Sequence, residues 1–268
     1  MNRKILISGA IGLAILLLVI MAVTRSGKGS KKVKSQAEAL YRQALALQSQ
    51  GEIDKTAQLF QELIQKFPDF KQIAELEKKL WELNVKVLFS PKATEQDIIY
   101  KVEPGDTLSQ IASRHNTTVD LIKVSNNLQG DLIRPGDRLK VTTAKYSVIV
   151  DKSQNTLTLK ANDAIFKIYA IATGEHDCTP QGQFTIVEKL KNPDWYKSGV
   201  GIVPAASPEN ILGTRWLGLS EPQYGIHGGA NKDDLGKQLT NGCVRMLNPE
   251  VEELFTILPR GSEVTIVE

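Results

Sequence analysis

The chain has 268 residues, 41% of them apolar, and carries 33 Lys+Arg against 30 Asp+Glu, a net charge of +3. That apolar share excludes a chain that is disordered throughout. Seven basic residues (Arg3, Lys4, Arg25, Lys28, Lys31, Lys32, Lys34) precede Ser35 with no acid among them, so the remainder is acidic, 26 basic groups against 30. A fold with a basic face is not indicated, and no nucleic acid is expected as a partner. Between those charges lies Ile5 to Val23, nineteen uncharged residues with Ser8 as the one polar side chain. At about 1.5 Å per residue this run reaches roughly 28 Å, close to a bilayer core. No good small-x-small cleavage site follows it, so residues 1–24 are predicted to be a retained signal anchor, a transmembrane helix, followed by a basic linker over 25–35. The expectation is a protein held to the membrane by this helix, with the rest outside the cytoplasm, in periplasm or wall.

Residues 36–88 read as helix. Ala37, Leu40, Tyr41, Ala44 and Leu47 keep the i, i+3, i+4 spacing of one apolar face. Gly51 interrupts, Ile53, Ala57, Phe60, Leu63 and Ile64 resume the pattern up to Pro68, and Ile73, Leu76, Leu80 and Leu83 form a third run. The middle of this region resembles a tetratricopeptide repeat, with Gly51, Thr56, Phe60 and Pro68 in register and Leu40 standing where a large aromatic is usual. One such unit cannot bury its own face. It reads either as a spacer or as a docking surface for a protein partner or a second copy.

Residues 89–99 read as a linker. A strand then runs into Pro104-Gly-Asp-Thr-Leu108, where Asp106 or Thr107 is placed to cap a helix. A second short helix covers about Val119 to Val124, and Pro135-Gly-Asp137 turns into a strand. With Asn126-Asn127, this β-α-α-β unit over 100–143 resembles a LysM domain. The resemblance implies binding of glycans containing N-acetylglucosamine, and it carries glycan-binding roles onto Gly105, Asp106, Thr107 and Asn127.

From Tyr146 the period changes from 3.6 to 2. Tyr146–Val150, Thr156–Leu159, Ile165–Ile171, Gln183–Val187 and Glu263–Val267 alternate or are β-branched. One helix is predicted from about Pro249 to Leu258, with Pro at its first position. Residues 144–268 therefore form a mainly β domain large enough for its own core. The predicted architecture is multidomain: transmembrane helix, helical hairpin, small βααβ unit and mainly β domain.

The residues suited to chemistry lie near the end. Tyr224-Gly-Ile-His227-Gly-Gly229 is followed sixteen positions past the histidine by Cys243, in Asn241-Gly-Cys243-Val-Arg245-Met246. A thiolate is the attacking form of cysteine, and an imidazole is its usual base. Gly242 lets a substrate come close to the backbone, and its amide with that of Cys243 is a candidate oxyanion hole. In an extended segment Cys243 and Arg245 share a face, where Arg245 could pair with a substrate carboxylate. The residues alone leave a thiol nucleophile and an inert packed cysteine both open. Two cysteines, Cys178 and Cys243, make no disulfide scaffold. His176-Asp-Cys178 has no second cluster to complete a zinc site, and no metal or cofactor is expected.

The pattern of His227-Gly228 with a cysteine sixteen positions past the histidine, in Thr240-Asn-Gly-Cys-Val-Arg-Met246, resembles the catalytic signature of the YkuD family of L,D-transpeptidases, with Thr179-Pro-Gln-Gly182-Gln-Phe184 and the stretch from Trp216 to Gly225 also similar. The resemblance implies a YkuD-type β-sandwich. It also implies a reaction in which Cys243 attacks the peptidoglycan stem carbonyl before the terminal D-Ala, and the thioester passes to an amine of a second stem as a 3→3 cross-link. His227 would be the general base and acid, oriented by the backbone carbonyl of Gly228. Gly242 would stabilise the oxyanion, Arg245 would hold a carboxylate, and Tyr224, Thr240 and Asn241 would contact substrate. Asn241 departs from the histidine common in the family at that place. Water as acceptor, giving an L,D-carboxypeptidase, and an inactive wall-binding protein are the alternatives; the partners implied are stem peptides and glycan strands.

Overall fold

The computed structural model describes residues 27–197 and 199–268. The predicted span Ile5–Val23 lies outside the described residues. Among the described residues no helix is long and apolar enough to cross a membrane. The first of them, α1 (Gly27–Ser49), carries charge along its length from Lys28 to Arg42, which hydrocarbon does not tolerate. The fold class is corrected accordingly: a mainly β domain with helices, none of which among the described residues can span a membrane, and the membrane is withdrawn as a partner.

The chain divides into two compact units, the first ending at Leu83 and the second running from Asn84 to Glu268. In the first, α1 is followed by α2 (Ile53–Lys66) and the start of α3 (Ile73–Phe89). Ala37 and Ala44 are small enough to let helices approach closely, and they are buried with Phe60, Leu63, Leu76 and Leu80. The apolar face that one hairpin leaves open is thus covered by the third helix. Gly51 makes the α1–α2 turn at φ +76°, a conformation that suits glycine.

In the second unit, β1 (Asp97–Lys101) pairs antiparallel with β2 (Arg138–Thr142), and α4 (Leu108–Arg114) and α5 (Val119–Ser125) lie between them in sequence. Thr107 caps α4 in a reciprocal capping box with Gln110, and the Thr118 hydroxyl accepts from the Leu121 amide to cap α5. Lys140, 2% exposed, donates to the carbonyls of Val87, Leu88 and Ser90 at 2.9–3.1 Å, closing the C-terminal end of α3. Burial pulls its pKa down, and Asp97 at 3.7 Å opposes the fall.

The remaining strands, in chain order, are β3 (Tyr146–Asp151), β4 (Thr156–Ala161), β5 (Ala164–Ala170), β6 (Thr173–Gly174), β7 (Gly182–Lys191), β8 (Trp195–Lys197), β9 (Gly201–Val203), β10 (Arg215–Leu219), β11 (Gly225–His227), β12 (Gln238–Thr240), β13 (Val244–Arg245) and β14 (Glu263–Val267); α6 (Asn248–Ile257) precedes β14. Hydrogen bonding links eight strands in the order β13-β11-β10-β7-β14-β3-β4-β5, because β14 pairs with both β7 and β3. Val251 and Leu254 of α6 pack with Leu217, Ile226 and Val244 in one buried cluster. Leu121 of α5 belongs to the same cluster, so the βααβ module is packed onto the catalytic domain rather than strung beside it.

Candidate active site

The parallel pairing of β11 with β13 sets His227 opposite Arg245 and Ile226 opposite Val244. Ile226 and Val244 turn into the core with α6, so His227 and Arg245 occupy the other face by alternation. Cys243, two residues before Arg245, enters β13 from a turn. Beyond β13, Ala172 and Arg245 exchange both backbone hydrogen bonds at 2.9 Å, which fixes the strand on its open side.

His227 is 2% exposed, and its ring stacks on that of Trp216 with centroids 5.9 Å apart. Its Nδ1 lies 2.8 Å from the Gly228 carbonyl. A carbonyl only accepts, so Nδ1 carries the proton and Nε2 is the basic nitrogen. Burial, then the charge of Arg245, push the imidazole pKa down to about 4, against the pull of the Gly228 and Leu212 carbonyls. The imidazole is therefore neutral at neutral pH. The Cys243 thiol donates to the Gln223 carbonyl at 3.6 Å. Burial raises its pKa, while the Gly225 backbone and Arg245 work the other way. The resting pair is thiol and imidazole, not thiolate and imidazolium.

The turn before Cys243 is held tightly. The Thr240 hydroxyl donates to the Cys243 carbonyl at 2.6 Å and accepts from the Gly242 amide at 3.2 Å. An oxyanion role for Gly242 therefore requires that second bond to yield. Gly242 has φ +115°, and a Cβ there would stand 2.6 Å from the Tyr224 ring and 3.0 Å from the Cys178 carbonyl. Tyr224 thus forms the wall of the turn, and Asn241 is exposed at its tip. Cys178 is a free thiol 3.7 Å from the Thr240 carbonyl. Arg245 is half-buried, and its Nε is buried without a hydrogen-bond partner. An unmet buried donor costs roughly 1–3 kcal/mol, so it is a natural acceptor-seeking group.

Sequence reasoning missed Asn248. Its Oδ1 accepts from the Thr214 amide at 3.1 Å and the Gly229 amide at 3.0 Å. These amides belong to the two loops whose Leu212 and Gly228 carbonyls face the imidazole, so one side-chain oxygen sets both. The clue was present in the sequence, an Asn two residues after the Cys-Val-Arg-Met run, but its partners lie 34 and 19 residues upstream.

The four residues assigned to glycan are dispersed in role. Gly105 sits in the turn at φ +90° with open space around it. Asp106 accepts from the Tyr100 hydroxyl at 2.7 Å and the Glu103 amide at 2.9 Å. The Glu103 amide first, then Tyr100, hold its carboxyl below the usual carboxylate range. Thr107 is engaged with Gln110. Asn127, with φ +55°, lines a cavity between the module and the catalytic domain. Among the described residues no three His, Cys, Asp or Glu side chains come together as a metal site.

Cys243 and the neutral His227 stand at one sheet edge with Arg245, whose buried Nε has no hydrogen-bond partner, a residue set suited to thiol-dependent catalysis. Residues 145–266 match the L,D-transpeptidase catalytic domain, YkuD; residues 100–142 match the LysM domain and residues 38–69 a tetratricopeptide repeat. Similar proteins include those named "Putative L,D-transpeptidase YkuD" of Bacillus licheniformis and Bacillus subtilis, 34% and 35% identical over 177 residues, spanning 63% of this chain and 98% of each relative. The chain belongs to the YkuD family of L,D-transpeptidases. Among solved structures, an L,D-transpeptidase from Mycobacterium smegmatis is 17% identical with a TM-score of 0.40, over 50% of this chain and 64% of that one.

Proposed function

We propose that this protein is a peptidoglycan L,D-transpeptidase working outside the cytoplasm, at the cell wall. Cys243 is the nucleophile. As its sulfur attacks the stem carbonyl that precedes the terminal D-Ala, the thiol proton passes to the basic Nε2 of His227. The imidazolium so formed has the Gly228 and Leu212 carbonyls beside it, which favour the charged form. Collapse of the tetrahedral intermediate breaks the bond to D-Ala, whose amine takes that proton, and leaves a thioester on Cys243. The amine of a second stem then attacks the thioester, losing its proton to His227, and restores the thiol in giving a 3→3 cross-link. Arg245 holds a stem carboxylate through its fork of N–H donors. Tyr224, Thr240 and Asn241 border the substrate path, and the LysM module holds the enzyme on glycan.

The observation that carries this reading is the buried, unpartnered Nε of Arg245 on the face shared with His227 and Cys243. The test is mass spectrometry of disaccharide-tetrapeptides incubated with the protein. Disaccharide dimers with 3→3 links are expected. Tripeptide monomers alone would assign the enzyme to hydrolysis, and unchanged products with Cys243→Ala would remove the nucleophile.

A further inference from the structure

A cavity of about 400 Å³ lies away from Cys243, where the βααβ module meets the catalytic domain. Roughly 300–1,000 Å³ is the range of small-ligand sites. Asp120, Lys123 and Asn127 line it from α5 and the loop that follows, and Lys191, Arg215 and Phe255 from the catalytic side. Two contacts tie the seam together beside it: Lys191 pairs with Asp120 at 2.8 Å, and the Thr118 hydroxyl donates to the Thr256 carbonyl.

The catalytic wall is unusual in its charge. Antiparallel register sets Lys191 of β7 directly opposite Arg215 of β10. Like charges directly opposite on one sheet face are destabilising. Lys189, two residues along β7, is on that face as well, and all three cations surround the Phe255 ring at 4.4–5.6 Å. Asp120 answers Lys191 at 2.8 Å, and Glu252 pairs more loosely with Arg215 at 3.8 Å. One Arg215 nitrogen donates to the Thr214 carbonyl, and Lys189 donates to the Phe255 and Leu258 carbonyls. The wall has more positive charge than its carboxylates offset, and facing it is an amide side chain, Asn127, suited to the N-acetyl and hydroxyl groups of a sugar.

We propose that this seam is a second saccharide site, completed by the catalytic domain, that selects an N-acetylated amino-sugar oligomer bearing a carboxylate over an uncharged one. The proposal rests on the reading that the LysM module binds glycan. Lys191 and Arg215 take the carboxylate, and Asn127 contacts the sugar. Arg215 and Trp216 are neighbours on β10 and point to opposite faces, while Trp216 stacks on His227. The saccharide at the seam is therefore a different repeat from the one whose stem is cut, so a strand is gripped at one repeat and worked at another.

The test uses the full chain and two peptide-free tetrasaccharides, a chito-oligomer and one alternating N-acetylglucosamine with N-acetylmuramic acid, in calorimetric titrations at low salt. A third arm carries the muramic carboxylates as amides. About tenfold tighter binding of the free-acid oligomer is expected, lost on amidation and in Lys191→Gln/Arg215→Gln, with the chito-oligomer unaffected. Raising salt to 0.5 M should shrink the preference in the unmodified protein, a readout that does not depend on the variant folding. Equal affinity for the charged and uncharged oligomers, with both binding, would overturn the charged wall alone. Binding of neither would overturn the glycan reading and this site with it.

Discussion

Two polar clusters of the second unit stand in contrast. In the turn at Asp106 and Thr107, the carboxylate accepts from Tyr100 and Glu103 and the hydroxyl is engaged with Gln110, so the groups are consumed in holding the chain's shape. At the β11–β13 edge the arrangement is the reverse. Backbone hydrogen bonds and Asn248 hold the frame, while the side chains proposed to act keep unmet capacity: the basic Nε2 of His227, the Arg245 Nε and a thiol on a long bond to a carbonyl. A motif match marks both clusters equally. Hydrogen bonding separates the one that builds from the one that is ready to act.

The sharpest break of that contrast is Cys243→Ala, which should lower turnover by about 10⁴-fold or more and leave no covalent adduct on intact-mass spectra after incubation with a carbapenem. Next is acid. His227 has its pKa depressed to about 4 by burial, whereas an unfolded histidine titrates near 6.5. The unfolded chain thus binds the proton first as pH falls. The stability present above about pH 6.5 should decline by about 3 kcal/mol on the way to pH 4, read by urea titration, with His227→Gln flattening that slope. Arg245→Met should raise KM for tetrapeptide substrate by about 10- to 100-fold, with a smaller effect on kcat, in steady-state assays. Asn248→Ala should cost about 1–3 kcal/mol of stability by stranding two amides, and lower kcat, while Asn248→Asp keeps the acceptor and recovers much of both. On the other side of the comparison, Thr107→Ala should cost about 1 kcal/mol in thermal unfolding without changing kcat.

What the sequence made legible was local. His227, Cys243 and Arg245 stand in short runs whose spacing carries their geometry: alternation along a strand sets Arg245 on the face of Cys243. The clamp by Asn248 and the Thr240–Gly242 bond depend on how turns close, which no period encodes. β7 reaches Lys191, beyond the predicted end at Val187, because Lys189 and Lys191 look like loop residues in sequence. Their ammonium groups instead lie over the Phe255 ring. Helix α1 already includes Gly27, well before the first apolar period at Ala37, in a lysine-rich stretch that gives no such signal. The seam between the module and the catalytic domain was invisible for the same reason, since Leu121 reads as a core residue of its own small unit but is buried with the other.

The position of β14 governs when activity can arise. It enters the sheet between β7 and β3, so residues 263–267 carry the sheet from the half bearing His227 and Arg245 to the β3–β5 half, which the Ala172–Arg245 bridge also ties to β13. During synthesis or export the nucleophile emerges before the strand that unites its scaffold. The thiol is thus exposed in an unfinished domain until one late, long-range pairing locks it in place, the kind of pairing that forms slowly. Interference with those five residues would leave an intact signature on a domain that never assembles.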